Sequence, residues 1–166
     1  SPSFARAFGD RAATEGAALA SRAPVDLRVN TLKADREKLL KALGRFRAGP
    51  TPLSPVGVRL PAPEGPGRQP NVEAEPSHGK GWFEVQDEGS QLLALLTDAK
   101  RGEMVVDFCA GAGGKTLALG AAMKNTGRLY AFDVSGHRLD SLKPRLARSG
   151  LSNVHPVQIA HERDDR

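Results

Sequence analysis

Asp107-Phe108-Cys109-Ala110-Gly111-Ala112-Gly113-Gly114-Lys115-Thr116 follows directly on the apolar run Met104-Val105-Val106, and a second apolar run, Leu129-Tyr130-Ala131-Phe132, ends at Asp133. The pattern predicts a strand over 104–108, a glycine turn, a helix over 115–123 and a strand over 129–132 closed by a carboxylate. These are the first two strands of a doubly wound sheet carrying a nucleotide-type cofactor site. Further on, Leu139, Leu142 and Leu146 share one face of a helix predicted over 137–149, with Gly150 as its stop. Pro144 lies inside that helix and predicts a kink or shortened first turns. Residues 154–159 read as a third strand, with Pro156 placing it at an edge or a bulge.

The loop is not a phosphate cradle of either common kind. A P-loop needs glycine six positions before its lysine, and that position, counted from Lys115, is Cys109. A dinucleotide fingerprint begun at Gly111 needs glycine where Thr116 stands. Close backbone approach is still open at Gly111, Gly113 and Gly114, and Asp133 sits where a carboxylate accepts bonds from ribose hydroxyls. A glycine loop without a pyrophosphate fingerprint, joined to a ribose acid, fits an adenosyl cofactor lacking phosphates. S-adenosylmethionine is the best candidate, its amino acid end over the loop and its ribose near Asp133. Lys115 either holds the methionine carboxylate or solvates the helix start, and Arg138 is either close to the adenosyl end or a surface residue. Cys109 has no neighbour that would activate it as a nucleophile, so a packing or backbone role is expected.

Upstream, residues 9–20 have an alanine-rich helical pattern. Val25-Asp26-Leu27-Arg28-Val29-Asn30 alternates and predicts a half-buried strand. A helix over 35–43 follows, stopped by Gly44, then a strand over 56–60. Residues 61–79 read as a loop rich in Pro, Gly and Glu. Trp82-Phe83-Glu84-Val85 is a short strand, and Asp87 caps a helix over 88–96.

The net charge is +5, and residues 1–50 hold ten Lys/Arg against five Asp/Glu, so the whole excess lies in the N-terminal third. Such a field favours anionic partners, nucleic acid among them. One cysteine excludes an intrachain disulfide framework and suits a reducing, cytoplasmic setting. His78, His137, His155 and His161 do not combine with it at zinc spacing, so no metal is expected. No apolar run approaches the roughly 18 residues that span a bilayer, and no membrane association is expected. The start at Ser1 has no signal-peptide pattern and reads as an internal fragment or a processed end.

With these residues in view, the chain resembles the RNA (cytosine-5) methyltransferases, in their bacterial ribosomal small-subunit RNA branch. The resemblance is carried by Leu27-Arg28-Val29-Asn30-Thr31, by Gly81-Trp82-Phe83-Glu84-Val85-Gln86-Asp87-Glu88-Gly89-Ser90 and by the loop 107–116. It implies an α/β chain: a small ferredoxin-like (RNA-recognition-like) subdomain followed by the N-terminal half of a Rossmann-like S-adenosylmethionine-dependent methyltransferase sheet. The implied division is an N-terminal helical segment 1–24, an RNA-binding subdomain 25–80 and a partial methyltransferase domain 81–166. Cofactor contacts are implied for Cys109, Ala110, Gly111, Ala112, Gly113, Gly114, Lys115, Asp133 and Arg138. No catalytic residue is expected within the chain, because the two cysteines such enzymes use lie past Arg166. The implied activity of the whole protein is methylation of cytosine C5 in small-subunit ribosomal RNA. Arg28, Lys33, Arg36, Lys38, Lys41, Arg45 and Arg47 are the expected RNA backbone contacts.

Two departures stand out: Ala112 replaces the family's proline, and no adenine-binding acid is evident around Ile159-Ala160-His161-Glu162. The rival readings are a degenerate, non-catalytic RNA-binding or ribosome-assembly protein, and a methyltransferase acting on tRNA or protein.

Overall fold

The computed structural model describes residues 2–63 and 68–163, so part of the predicted 61–79 loop and the last three residues lie outside the described residues. Two helices open the chain, α1 (Pro2–Phe8) and α2 (Ala12–Ala20), and neither buries a side chain. Then follow β1 (Val25–Val29), α3 (Arg36–Ala42), β2 (Gly49–Pro50) and β3 (Gly57–Leu60). After these come α4 (Pro76–Gly79), β4 (Phe83–Val85) and α5 (Glu88–Leu96). The last third alternates: β5 (Met104–Asp107), α6 (Gly114–Ala122), β6 (Arg128–Asp133), α7 (Gly136–Ser149) and β7 (Val154–Gln158).

Two sheets result. The first has the order β2-β3-β1-β4 and is antiparallel throughout. The strand read from sequence as the opening of residues 81–166 therefore sits in the first sheet, with Glu84 opposite Arg28. Central β1 is covered on both faces, not one as its alternation predicted: Asp26, Leu27, Arg28 and Val29 are all buried. Its core joins Leu27, Val29, Leu39, Leu43, Val58, Leu60, Val72 and Phe83. The helix start at Asp35 is made by its own carboxylate, which accepts from Lys38 N–H at 2.7 Å. The stop is not Gly44: a short 3-10 turn runs through Gly44–Phe46, and the chain reverses at Arg47, at φ +55°.

The second sheet has the order β5-β6-β7 and is parallel, as helical crossovers require. Pro156 sits on the edge strand β7, where a missing N–H costs no ladder bond in the interior. α7 runs unbroken through Pro144, which is exposed, so the carbonyl freed by the proline faces water. Gly150 closes the helix, donating its N–H to Leu146 O. On the other edge of this sheet Met104, Val106 and Phe108 are exposed.

α5 knits the two sheets together. Asp87 caps it, accepting from Ser90 N–H. The Glu88 carboxylate accepts from the N–H groups of Leu53 and Ser54 at 2.7 and 2.8 Å. These bonds hold its carboxyl below the usual range, backbone donation from Ser54 leading. Buried Gln91 donates to the carbonyls of Leu27 and Gln86 and accepts from the Ser54 hydroxyl. The side chains of Glu88 and Gln91 thus end on the first sheet or on the loop beside it, while Ala94 packs into the core of the second.

Candidate cofactor site

The glycine loop turns from β5 into α6 and is closed by four bonds. The Thr116 hydroxyl donates to Asp107 at 2.6 Å, tying the start of the loop to the start of the helix. Ala110 N–H donates to Phe132 O at 2.9 Å, and Gly113 N–H to Ala110 O at 2.8 Å. Gly111 N–H donates to an Asp133 oxygen, also at 2.8 Å. Gly113 has φ +83°, and a Cβ there would fall 2.1 Å from Leu142 Cδ1. A side chain at that position is excluded twice over, by conformation and by contact. Gly111 has φ +55° with nothing within 4 Å of a virtual Cβ, so its main chain borders open space. No side chain caps α6, whose N-cap is Gly113. Its first-turn N–H groups therefore lack a side-chain acceptor.

Asp133 is buried, and each of its oxygens takes a backbone donor: Gly111 N–H on one, Ser135 N–H at 2.8 Å on the other. Those two donors, Ser135 first, and the charge of Arg138 lower its pKa against the opposing effect of desolvation. The group is anionic at neutral pH. A carboxylate oxygen carries two acceptor positions, so one on each oxygen remains. Asp133 is a ligand candidate and also the residue that fixes the loop's shape.

Asp133 borders a cleft of about 430 Å³ together with Phe108, Cys109, Val134, Arg138 and Glu162, among others. Of the residues expected from sequence, Cys109, Asp133 and Arg138 meet here. Ala110, Gly111, Ala112, Gly113 and Gly114 form the loop beside it, and Lys115 is exposed on the first turn of α6. Cys109 is exposed, which excludes the first of the two roles expected for it, packing or a backbone contact. Phe108 and Val134, each one residue past a strand end, offer exposed apolar walls that the sequence reading passed over. Their signal was positional: an apolar residue just outside each strand, with no core to enter. Glu162 supplies a carboxylate on the side of β7 where none was evident.

The expected RNA contacts divide. Arg28 is corrected: it is 4% exposed, inside the β1–β4 layer, and its Nε has no hydrogen-bond partner. Burial lowers its pKa to about 10 despite Glu84 opposite. Period-two alternation assigned it to solvent because the second covering layer was not visible in the strand. Lys33 is tied to the carbonyls of Arg148 and Lys80, and Arg36 to Ser54 O. Arg45 pairs with Glu75. Lys38 and Lys41 are exposed on α3, and Arg47 is exposed at the turn beyond it.

A charge cluster missed in sequence joins the sheets behind the loop. Buried Glu84 accepts from Arg145 Nε and from an Arg148 terminal nitrogen, both at 2.9 Å. Arg145 also donates to the carbonyl of Ala112 at 2.7 Å. One guanidinium therefore links β4 of the first sheet to the glycine loop of the second. Among the described residues there is no group of three or more His, Cys, Asp or Glu placed to hold a metal, and no helix long and apolar enough to cross a membrane.

Comparison with known proteins agrees with this architecture. Residues 94–165 match the family model described as 16S rRNA methyltransferase RsmB/F, and residues 3–65 match the ferredoxin-like domain of the same group. A probable ribosomal RNA small subunit methyltransferase B of Synechocystis is 32% identical over 132 residues, covering 78% of this chain and 28% of the relative. The human 28S rRNA (cytosine(4447)-C(5))-methyltransferase is 33% identical over 79% of this chain and 16% of its own length. A solved methyltransferase homolog protein from Pyrococcus horikoshii superposes with a TM-score of 0.77 at 31% identity, over 93% of this chain and 50% of that one. The chain thus spans under a third of the curated relatives' length.

Proposed function

We propose, from the premise that this chain belongs to the RsmB/F methyltransferase family, that it is the cofactor-holding and RNA-docking portion of an enzyme that methylates cytosine C5 in small-subunit ribosomal RNA. The bound group, S-adenosylmethionine, supplies an activated methyl. Everything else is the work of this chain's residues. Asp133 accepts the ribose hydroxyls on its remaining acceptor positions. Gly111 and the uncapped first turn of α6 offer N–H groups to the amino acid end, with Lys115 nearby for its carboxylate. Phe108 and Val134 shield the purine, and Glu162 accepts from its exocyclic amine. That last assignment weighs against the degenerate reading, which rested on a missing acid.

The observation that carries the proposal is Asp133: one low-pKa carboxylate both shapes the glycine loop and borders the cleft. Phosphate chemistry is disfavoured there by the loop itself, which lacks the glycine spacing of both a P-loop and a dinucleotide fingerprint. Cys109 is the chain's single cysteine and lies at the cofactor loop. The cytosine nucleophile is therefore assigned outside residues 1–166. The exchange of methyl for a C5 proton is assigned to the whole protein.

Calorimetric titration with S-adenosylmethionine, ATP and NADH tests the reading. Affinity for the sulfonium compound alone, lost in Asp133→Ala, is expected. Equal affinity for ATP, or none for any of the three, refutes it.

A further inference from the structure

Trp82 is the only tryptophan of the chain, and it is half-buried where β4 begins. Its place is set by Gly81, at φ +73°, where a Cβ would lie 2.0 Å from the backbone oxygen of Arg148. Asn30 strengthens this junction by donating to the carbonyls of both Gly81 and Ser149. The ring is thereby fixed to the C-terminal end of α7, while Arg138 and the cofactor cleft lie at the other end. Along α7, the stretch from Arg138 to Arg148 separates the two places by about 15 Å.

Two ammonium groups lie over the indole: Lys38 Nζ at 4.1 Å from the ring centroid and Lys80 Nζ at 5.3 Å. Neither has a carboxylate partner among the described residues; Lys38 Nζ donates only to the carbonyl of Lys33, at 3.4 Å. The ring and Lys80 border a notch of about 350 Å³, walled by Ala42 of α3 and Pro76 of α4. Its one acid, Glu75, is neutralised by Arg45. An aromatic face, two cations over it without a carboxylate partner among the described residues, and room beside it for a planar group occur together.

From this geometry we infer that the Trp82 notch is a binding site for one unpaired nucleotide of single-stranded RNA, its base on the indole and its phosphate on Lys38 and Lys80. The inference rests on the RNA-substrate reading above and adds a contact point remote from the reacting base. Cation–π contacts from solvated ammonium groups are weaker than base stacking, so an incoming base displaces the lysines from the face and leaves them free for the backbone. A duplex does not fit, because its base faces are already occupied. A purely anionic partner does not use the ring at all.

The sole tryptophan makes the test direct. Trp82 emission is followed while the chain is titrated with an unstructured oligoribonucleotide, and with an abasic ribose-phosphate oligomer of equal length. Anisotropy of the labelled oligomers reports total binding. The expected result is quenching that tracks anisotropy for the base-bearing strand and is absent for the abasic one. Trp82→Ala weakens RNA binding about tenfold with the salt slope unchanged, and Trp82→Phe recovers most of it. Lys38→Ala and Lys80→Ala lower the salt slope. Binding without quenching, an unchanged Trp82→Ala affinity, or equal affinity for the abasic strand overturns the site. Absence of any RNA binding overturns both the site and the RNA half of the functional reading. Cofactor affinity, measured separately on the same variants, is unaffected by Trp82→Ala; its absence in the parent would sink methyl transfer while leaving the notch standing.

Discussion

Glu84→Gln removes one negative charge from a cluster of three guanidiniums and keeps the volume. In the parent, Glu84 accepts from Arg145 and Arg148 at 2.9 Å each and stands opposite Arg28 across the ladder. Two charge-assisted bonds are lost or weakened, and three cations remain without a counterion. Breaking a buried pair this way costs about 3–5 kcal/mol. The two guanidiniums are 21% exposed, so water recovers part of that, and the lower end, about 3 kcal/mol, is expected. With a urea slope of about 2 kcal/mol/M the unfolding midpoint falls by about 1.5 M. The loss is not confined to stability. Arg145 also holds Ala112 O, so a guanidinium released from Glu84 loosens the glycine loop, and cofactor affinity falls with it. The assay is urea unfolding of the parent, Glu84→Gln, Arg145→Met and the double variant, paired with cofactor titration. A linked charge cluster is refuted by a midpoint shift under about 0.5 M. It is equally refuted by strictly additive single changes, since a shared bond requires coupling.

Asp133→Asn keeps one acceptor oxygen but cannot serve both Gly111 N–H and Ser135 N–H, and it is expected to destabilise by about 1–3 kcal/mol and to abolish cofactor binding in the calorimeter. Because the folded-state carboxyl ionises below its unfolded value of about 3.9, the stability it contributes is full above that pH and is lost as pH falls through the folded value. Cofactor affinity should therefore stay flat at neutral pH and collapse only below about pH 4; a titration of the affinity centred near neutrality would contradict the assignment. Gly113→Ala, facing Leu142 at 2.1 Å, should lower the thermal midpoint by several degrees, whereas Gly111→Ala, facing open space, should cost only about 1 kcal/mol of backbone strain. Arg28→Met replaces a desolvated cation and should change stability by less than about 1 kcal/mol without altering the salt slope of RNA binding. A lower slope would restore Arg28 to the surface.

Local chemistry wrote much of this protein openly. The run 104–133 could be read as strand, glycine turn, helix, strand and acid because each step depends on neighbours within a few residues: apolar periodicity, missing side chains, a carboxylate at a strand end. Asp87 as a cap and Pro156 as an edge marker are of the same kind, since a side chain bonding three residues on and an absent N–H are facts of the backbone itself. What required the folded chain were the relations between distant segments. Arg28 looked solvent-facing because alternation reports one face of a strand, and only the second covering layer decides whether the other face is wet. Glu84, Arg145 and Arg148 are 61 and 64 positions apart in sequence and meet only because β4 pairs with β1 beneath α7. Phe108, Val134 and Glu162 come from three different strand ends and border one cleft for the same reason. Short-range bonding is encoded in order along the chain, but burial and the pairing of charges depend on what lies across the gap, which packing alone sets.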